Sequence, residues 1–194
     1  MSFLKRRYHA PGTSPGTYDT PSTREVALPE VSIVDFASAG WAEVGGADAL
    51  SENSRFASRW VRVFGRPNLT LLEQLRETVH LDPLVLEDIV NVGQRPKRNE
   101  MEGHLFVTLS VPDSEDGRHF RQLSLYLAGE TLVSIYDGNG EFFAPVFHRL
   151  ENSEVLRERG ASYLFYALID LAVDSLFPWL EAAGDQLEQL EEAI

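Results

Sequence analysis

Two adjacent carboxylates, Glu87 and Asp88, sit inside a short apolar stretch, "HLDPLVLEDIVNVGQRPK" (80–97). The rest of that stretch is ordinary helix grammar. Asp82 suits an N-cap, Pro83 the first helical position and Gly93 the residue past the end, which predicts a helix from about 83 to 92. Neighbouring helical residues point about 100° apart, so the two acids cannot chelate one ion together. Each needs a partner on another helix or another subunit. Asp170 and Asp174 form an i,i+4 pair further along the chain and are suited to face such a site. Carboxylate oxygens are hard donors of the kind that Mg²⁺ and Ca²⁺ take. Beside this stands the plainer alternative, surface acids in an acidic protein. Arg95, Lys97 and Arg98 form a local cationic spot. They read either as a loop leading into a strand or as partners for the acids of the terminal helix or of a neighbouring molecule.

Other chemistries have little to stand on. The five histidines (His9, His80, His104, His119 and His148) are scattered, and no G-x-S-x-G, H-E-x-x-H or G-x-x-x-x-G-K-[ST] pattern occurs. With no cysteine, disulfides, thiolate metal sites and cysteine nucleophiles are excluded. Thirty acidic residues against 17 basic ones give a formal charge of −13. Such a surface repels a phosphate backbone and attracts divalent cations or basic partners, so nucleic acid is not an expected partner. The N-terminus has no apolar region of the signal-peptide kind, and no run of about 18 apolar residues is present. The 194 residues as they stand are expected to be soluble and not an enzyme.

The elements that must position these groups follow from periodicity. Residues 1–24 are rich in Pro, Gly, Ser and Thr and read as an extended lead-in, with a short edge strand near Thr17 and Tyr18. "REVALPEVSIVDFAS" holds one or two short strands, or a strand and a helix start, and "GWAEVGGADALSENS" reads as loop. "RWVRVFG" (59–65) is a strand with Val61 and Val63 on one face and Trp60, Arg62 and Phe64 on the other. "NLTLLEQLRETVHL" is an amphipathic helix with Leu71, Leu72, Leu75 and Val79 as its stripe and Thr70/Glu73 as a capping box. After the quoted helix the period changes to two. "GHLFVTLSVP", "FRQLSLYLAG" and "TLVSIYDG" form a three-stranded meander. Helix returns at 141–152 and runs from Ala161 to the end. The order implies an α/β (α+β) fold, a mixed sheet flanked by helices.

The last helix carries a heptad seam: Val173, Leu176, Leu180, Ala183, Leu187, Leu190 and Ile194. Pro178 and Gly184 interrupt its grammar. After Arg159 no Lys or Arg follows, while Asp170, Asp174, Glu181, Asp185, Glu188, Glu191 and Glu192 do. A helix that ends so acidically opposes its own dipole. The face is either simply solvated or awaits cations or a basic continuation. The chain stops without a capping signal, as expected of a piece of a longer protein cut inside a helix.

The stretch 80–97 closely resembles the "HPL-x-LEDI … QRPK" signature of the CorA family of magnesium and cobalt channels. "RWVRVFG" resembles that family's Trp-initiated strand, "RQLSLYLAGETLVSIYD" its meander and "ASYLFYALIDLAVDSLF" the start of its stalk helix; "APGT" near Pro11 fits its beginning. The resemblance implies a mostly antiparallel sheet sandwiched between helices and followed by a stalk. It divides the chain into a lead-in (1–24), a cytoplasmic funnel domain (25–158) and the beginning of the stalk (159–194). It further implies a homopentamer in the inner membrane, with this domain in the cytoplasm and the membrane reached only through C-terminal helices absent here.

By the same resemblance, divalent ions between neighbouring cytoplasmic domains hold the channel closed. Asp88 matches the carboxylate that faces the adjacent stalk at the principal regulatory site, and Glu87 and Asp170 match acids of a second site. The ion implied is Mg²⁺, for which Co²⁺ or another divalent ion can substitute. The sequence departs from the pattern at Asp82, where the family has His, and at Asp174-Ser175, where an acid pair is common. Two alternatives remain: a ZntB-type zinc transporter, which shares the funnel, and a soluble Mg²⁺-dependent phosphate-ester hydrolase.

Overall fold

The computed structural model describes residues 28–113 and 119–192. The lead-in expected over residues 1–24, and the strand within it, lie outside the described residues. A seven-stranded sheet runs in the order β2-β1-β3-β7-β6-β5-β4. Its strands are β1 (Glu30–Ala37), β2 (Gly40–Gly45), β3 (Ser58–Phe64), β4 (Lys97–Met101), β5 (His104–Pro112), β6 (Phe120–Ala128) and β7 (Thr131–Tyr136). The β3–β7 pair is parallel and every other neighbour is antiparallel. A parallel pair needs a crossover, and this one contains α1 (Leu69–Val79), α2 (Pro83–Val90) and the β4–β5–β6 meander.

Alternation along β3 sorts the two cores. Val61 and Val63 pack with Leu72 and Leu75 of α1 and Val85, Leu86 and Ile89 of α2. Trp60 and Phe64 pack on the other face with helices α3 (Ala144–Asn152), α4 (Glu154–Glu158) and α5 (Gly160–Asp174). All seven residues of β3 are buried, as a central strand covered on both faces requires.

The structure refines the sequence reading at several points. "GWAEVG" is strand β2, held against β1 by cross-strand pairs such as Phe36–Trp41, and not a loop. "KRNEM" is edge strand β4, which its alternating exposure concealed as a loop. Helix α1 is capped by Asn68, whose Oδ1 accepts from Leu71 N at 2.9 Å, and not by Thr70. The expected helix at 141–152 begins as a 3₁₀ turn, Gly140–Phe143.

The terminal helix is two helices, α5 and α6 (Phe177–Glu192), and not one. Pro178 explains where the break falls. It has no N–H for the carbonyl of Asp174 four residues back, and its ring crowds that carbonyl. Helix α5 ends at Asp174, the next bond from Leu176 N goes to Val173 O, and Pro178 sits in the first turn of α6, where it is tolerated. Gly184 is absorbed within α6. The seam residues Val173, Leu180, Leu187 and Leu190 are exposed, and Ile194 lies outside the described residues. By length and composition the stretch Gly160–Glu191, with an 18-residue window of mean hydropathy 1.3, is apolar enough to cross a membrane. Leu164, Phe165 and Leu168 within it are nevertheless core residues of the sheet.

The start of α5 is bracketed to the sheet. Glu130, in the β6–β7 turn, accepts from Ser58 Oγ (2.6 Å) and from Ala161 N (3.1 Å). Gly160 has φ +70°, and a Cβ there would come within 2.5 Å of Glu130 Oε2. Only glycine lets the helix start this close.

The Asp35–Arg59 pair is buried. Asp35 of β1 lies opposite Arg59 of β3 and is 0% exposed. The guanidinium grips it through Nε–Oδ1 (2.7 Å) and Nη2–Oδ2 (3.0 Å), and Arg55 N adds a third bond. Burial pushes the Asp35 carboxyl up, but Arg59 and the Arg55 N–H outweigh it and hold the group below its ordinary range. A depressed carboxyl stabilises the fold above its unfolded pKa of about 4, and that contribution is lost as pH falls through the native value. Arg59→Met leaves Asp35 uncompensated and is expected to cost about 3–5 kcal/mol in urea unfolding at neutral pH.

Candidate metal-sensing face

The sequence-predicted acids occupy two helices on opposite sides of the sheet. Glu87 and Asp88 lie in the last turn of α2, both half-buried; Asp170 is half-buried in α5. Since α2 belongs to one core and α5 to the other, Asp170 does not meet Asp88 within the chain. Among the described residues, no group of three or more His, Cys, Asp or Glu is placed to hold a metal.

Helix α2 is set by both of its ends. Asp82 Oδ1 accepts from Leu84 N at 2.7 Å, and Pro83 opens the first turn, as the sequence implies. Ahead of it, His80 adopts the left-handed conformation (φ 56°) that turns the chain between α1 and α2. The Tyr126 hydroxyl donates to the His80 carbonyl (3.1 Å), which leaves its oxygen to accept from His104 Nδ1 at 2.7 Å. Burial, with the charge of Asp82 second, pushes the Tyr126 phenol up to about 12, so it remains a donor throughout the physiological range.

The other end of α2 is held by Gln122 of β6. Its Nε2 donates to the carbonyls of Asp88 (3.1 Å) and Ile89 (3.4 Å), and its Oε1 accepts from Gly93 N (3.2 Å). Gly93, at φ +90°, makes the turn that lets its N–H face back. Helix-end carbonyls and the following loop are thus satisfied by one amide, a C-cap supplied from the sheet.

The Asp88 carboxylate does not stand alone. Lys97 Nζ lies 2.5 Å from Oδ1, and Gln94 Nε2 approaches the same oxygen at 3.1 Å. The Asp88 side chain is 15% exposed and that of Lys97 32%. Of the three cations read as one spot, Lys97 therefore pairs with the acid of its own α2 and not with the terminal helix, and Arg98 pairs with Glu100. Arg95 is exposed.

Gln122 was not singled out by sequence. The available signal was its alternation with Ser124 and Tyr126, which puts a line of polar groups on the strand face opposite Leu123 and Leu125, beneath a helix end. The donor chemistry suits Mg²⁺, since both acids offer hard oxygens. The set is incomplete within one chain, because Glu87 and Asp88 diverge around the helix.

A family model described as "CorA-like Mg2+ transporter protein" matches residues 57–194. The chain is 30% identical over 188 residues to the cobalt/magnesium transport protein CorA of Thermotoga maritima, covering 95% of this chain and 53% of that protein. It therefore spans about half the length of that relative. The fold is similar to the soluble domain of CorA from Methanocaldococcus jannaschii, with a TM-score of 0.60, 17% identity, and 84% of this chain and 63% of that one covered. It is also similar to the ZntB cytoplasmic domain from Vibrio parahaemolyticus, with a TM-score of 0.65, 11% identity, and 84% and 65% covered.

If Gln122 fixes the acidic end of α2, Gln122→Leu should cost about 2–3 kcal/mol, because it strips partners from two carbonyls and an N–H. Hydrogen exchange should show the loss as faster exchange at Asn91 and Gly93, with the α1 amides unchanged.

Proposed function

The chain belongs to the family of CorA-like Mg²⁺ transporter proteins, and on that premise we propose that it is the cytoplasmic ion-sensing part of a pentameric divalent-cation channel of the inner membrane. Residues 25–158 form the funnel domain and 159–194 begin the stalk that leads to the membrane. Mg²⁺ is the regulatory ion, with Co²⁺ able to replace it. The part played by the chain is that of a gate and not of an enzyme.

The observation that carries this reading is the placement of the acids. Glu87 and Asp170 are held on helices on opposite faces of one sheet, so they can share an ion across neighbouring copies of the chain, while Asp88 takes its partner from an adjacent stalk. Neighbouring subunits then bring like charges together. Without ions they repel one another; a hydrated Mg²⁺ bridging them offsets the repulsion and holds the interface closed. When cytoplasmic Mg²⁺ falls, the ions leave and the population shifts toward the open state, by an amount set by the difference in ion affinity between the two. The 30% identity to a cobalt/magnesium transport protein supports the magnesium branch. The likeness to a ZntB domain concerns the fold, which both branches share.

Limited proteolysis of the full-length protein tests the assignment. Asp88→Asn and Asp170→Asn should each raise the half-protecting Mg²⁺ concentration by roughly tenfold or more. Wild-type protection in both variants would remove these residues from the mechanism.

A further inference from the structure

The pairing of Asp88 has a consequence for how an ion reaches it. Lys97 is placed by the register of β4, where it lies opposite Thr108 of β5, and its ammonium reaches across to α2. It sits 2.5 Å from Oδ1, an oxygen that Gln94 also bonds. A divalent ion arriving at this carboxylate would meet a positive charge already in contact with the same oxygen. Whichever carboxylate oxygen it approached, the ion would stand beside the ammonium, and two cations so close repel strongly. The ammonium can also leave cheaply: β4 is an edge strand, and the Lys97 side chain is one-third exposed, so water can take over its hydrogen bonds on release.

Taking Asp88 as an ion ligand, as in the reading above, we propose that Lys97 is the resident counter-ion of Asp88 and that a divalent ion fills the site by displacing it. Without the ion, Lys97 offsets part of the Asp88 charge, so the repulsion between neighbouring subunits is carried by the remainder together with the other acids of the interface. Lys97 sets the ion concentration at which the exchange takes place. Arg98, one residue on, carries the same charge but is spent on Glu100 and does not compete.

The test is Mg²⁺ protection of the full-length protein against proteolysis, compared among wild type, Lys97→Met, Lys97→Arg, Arg98→Met and Asp88→Asn. Removing the competing ammonium should lower the half-protecting Mg²⁺ concentration by roughly two- to five-fold in Lys97→Met, the worth of a partly exposed ion pair. Lys97→Arg should stay within twofold of wild type, because it keeps a cation there. Arg98→Met controls for the unit change in net charge and should leave the midpoint in place. A Lys97→Met midpoint equal to or above that of wild type, or one matched by Arg98→Met, overturns the proposal while leaving Asp88 as a ligand. If Asp88→Asn is protected like wild type, the ligand reading itself fails and the counter-ion goes with it. Thermal unfolding of each variant separates loss of protection from loss of fold.

Discussion

The parallel pairing of β3 with β7 is the constraint on which the rest of the architecture depends. Two parallel strands side by side cannot be joined by a turn, so the chain must leave the sheet, cross one face and return. Of the elements laid down on the way, α1 and α2 cover that face, and the β4–β5–β6 meander extends the sheet beside β7. The helices after β7 cover the other, with α5 closing over Trp60 and Leu132. Two acidic helices thereby end on opposite sides of one rigid layer.

Much of this was legible in the sequence where a period was strong. The division of β3 into Val61/Val63 and Trp60/Arg62/Phe64, the α1 stripe and the Asp82 cap of α2 stand in the structure as their spacing implies, whereas α2 ends at Val90 with Asn91 as its C-cap, short of the end at about 92 that Gly93 suggested. The edges were harder. Strand β2 has glycines at both ends and half-exposed residues between them, and β4 is five polar or mixed residues, so neither carries an apolar alternation to read. Their strand character comes from the hairpin partners β1 and β5, each supplied across a short turn, and local propensity does not contain it.

The same distinction holds for the candidate site. Glu87, Asp88 and Asp170 could be picked out as residue types, and their helices could be foreseen. Which cation meets which acid could not, because Lys97 reaches Asp88 only through the pairing of β4 on β5 and the docking of α2 over the sheet. Gln122 was hidden for a related reason. An amide in a strand carries no signal until a helix end lies above it. The division of the terminal helix was half visible: Pro178 announced a disturbance, but the displacement of the break to Ser175 and Leu176 follows from which carbonyl the ring deprives.

That break gives the two terminal helices different mechanical characters. Helix α5 is a beam bolted to its support at the near end by Glu130 and along its length by the core. Helix α6 is an arm joined to it through two residues, and its first turn is braced against the sheet by the edge-on contact of Trp179 with Phe120 at a ring separation of 5.5 Å. A push along the axis passes through such a joint, while bending collects in it, because that is where the ladder of hydrogen bonds is thinnest. A sideways tilt of α6 is therefore absorbed first at that joint, ahead of the packed contacts that hold α5 to the sheet.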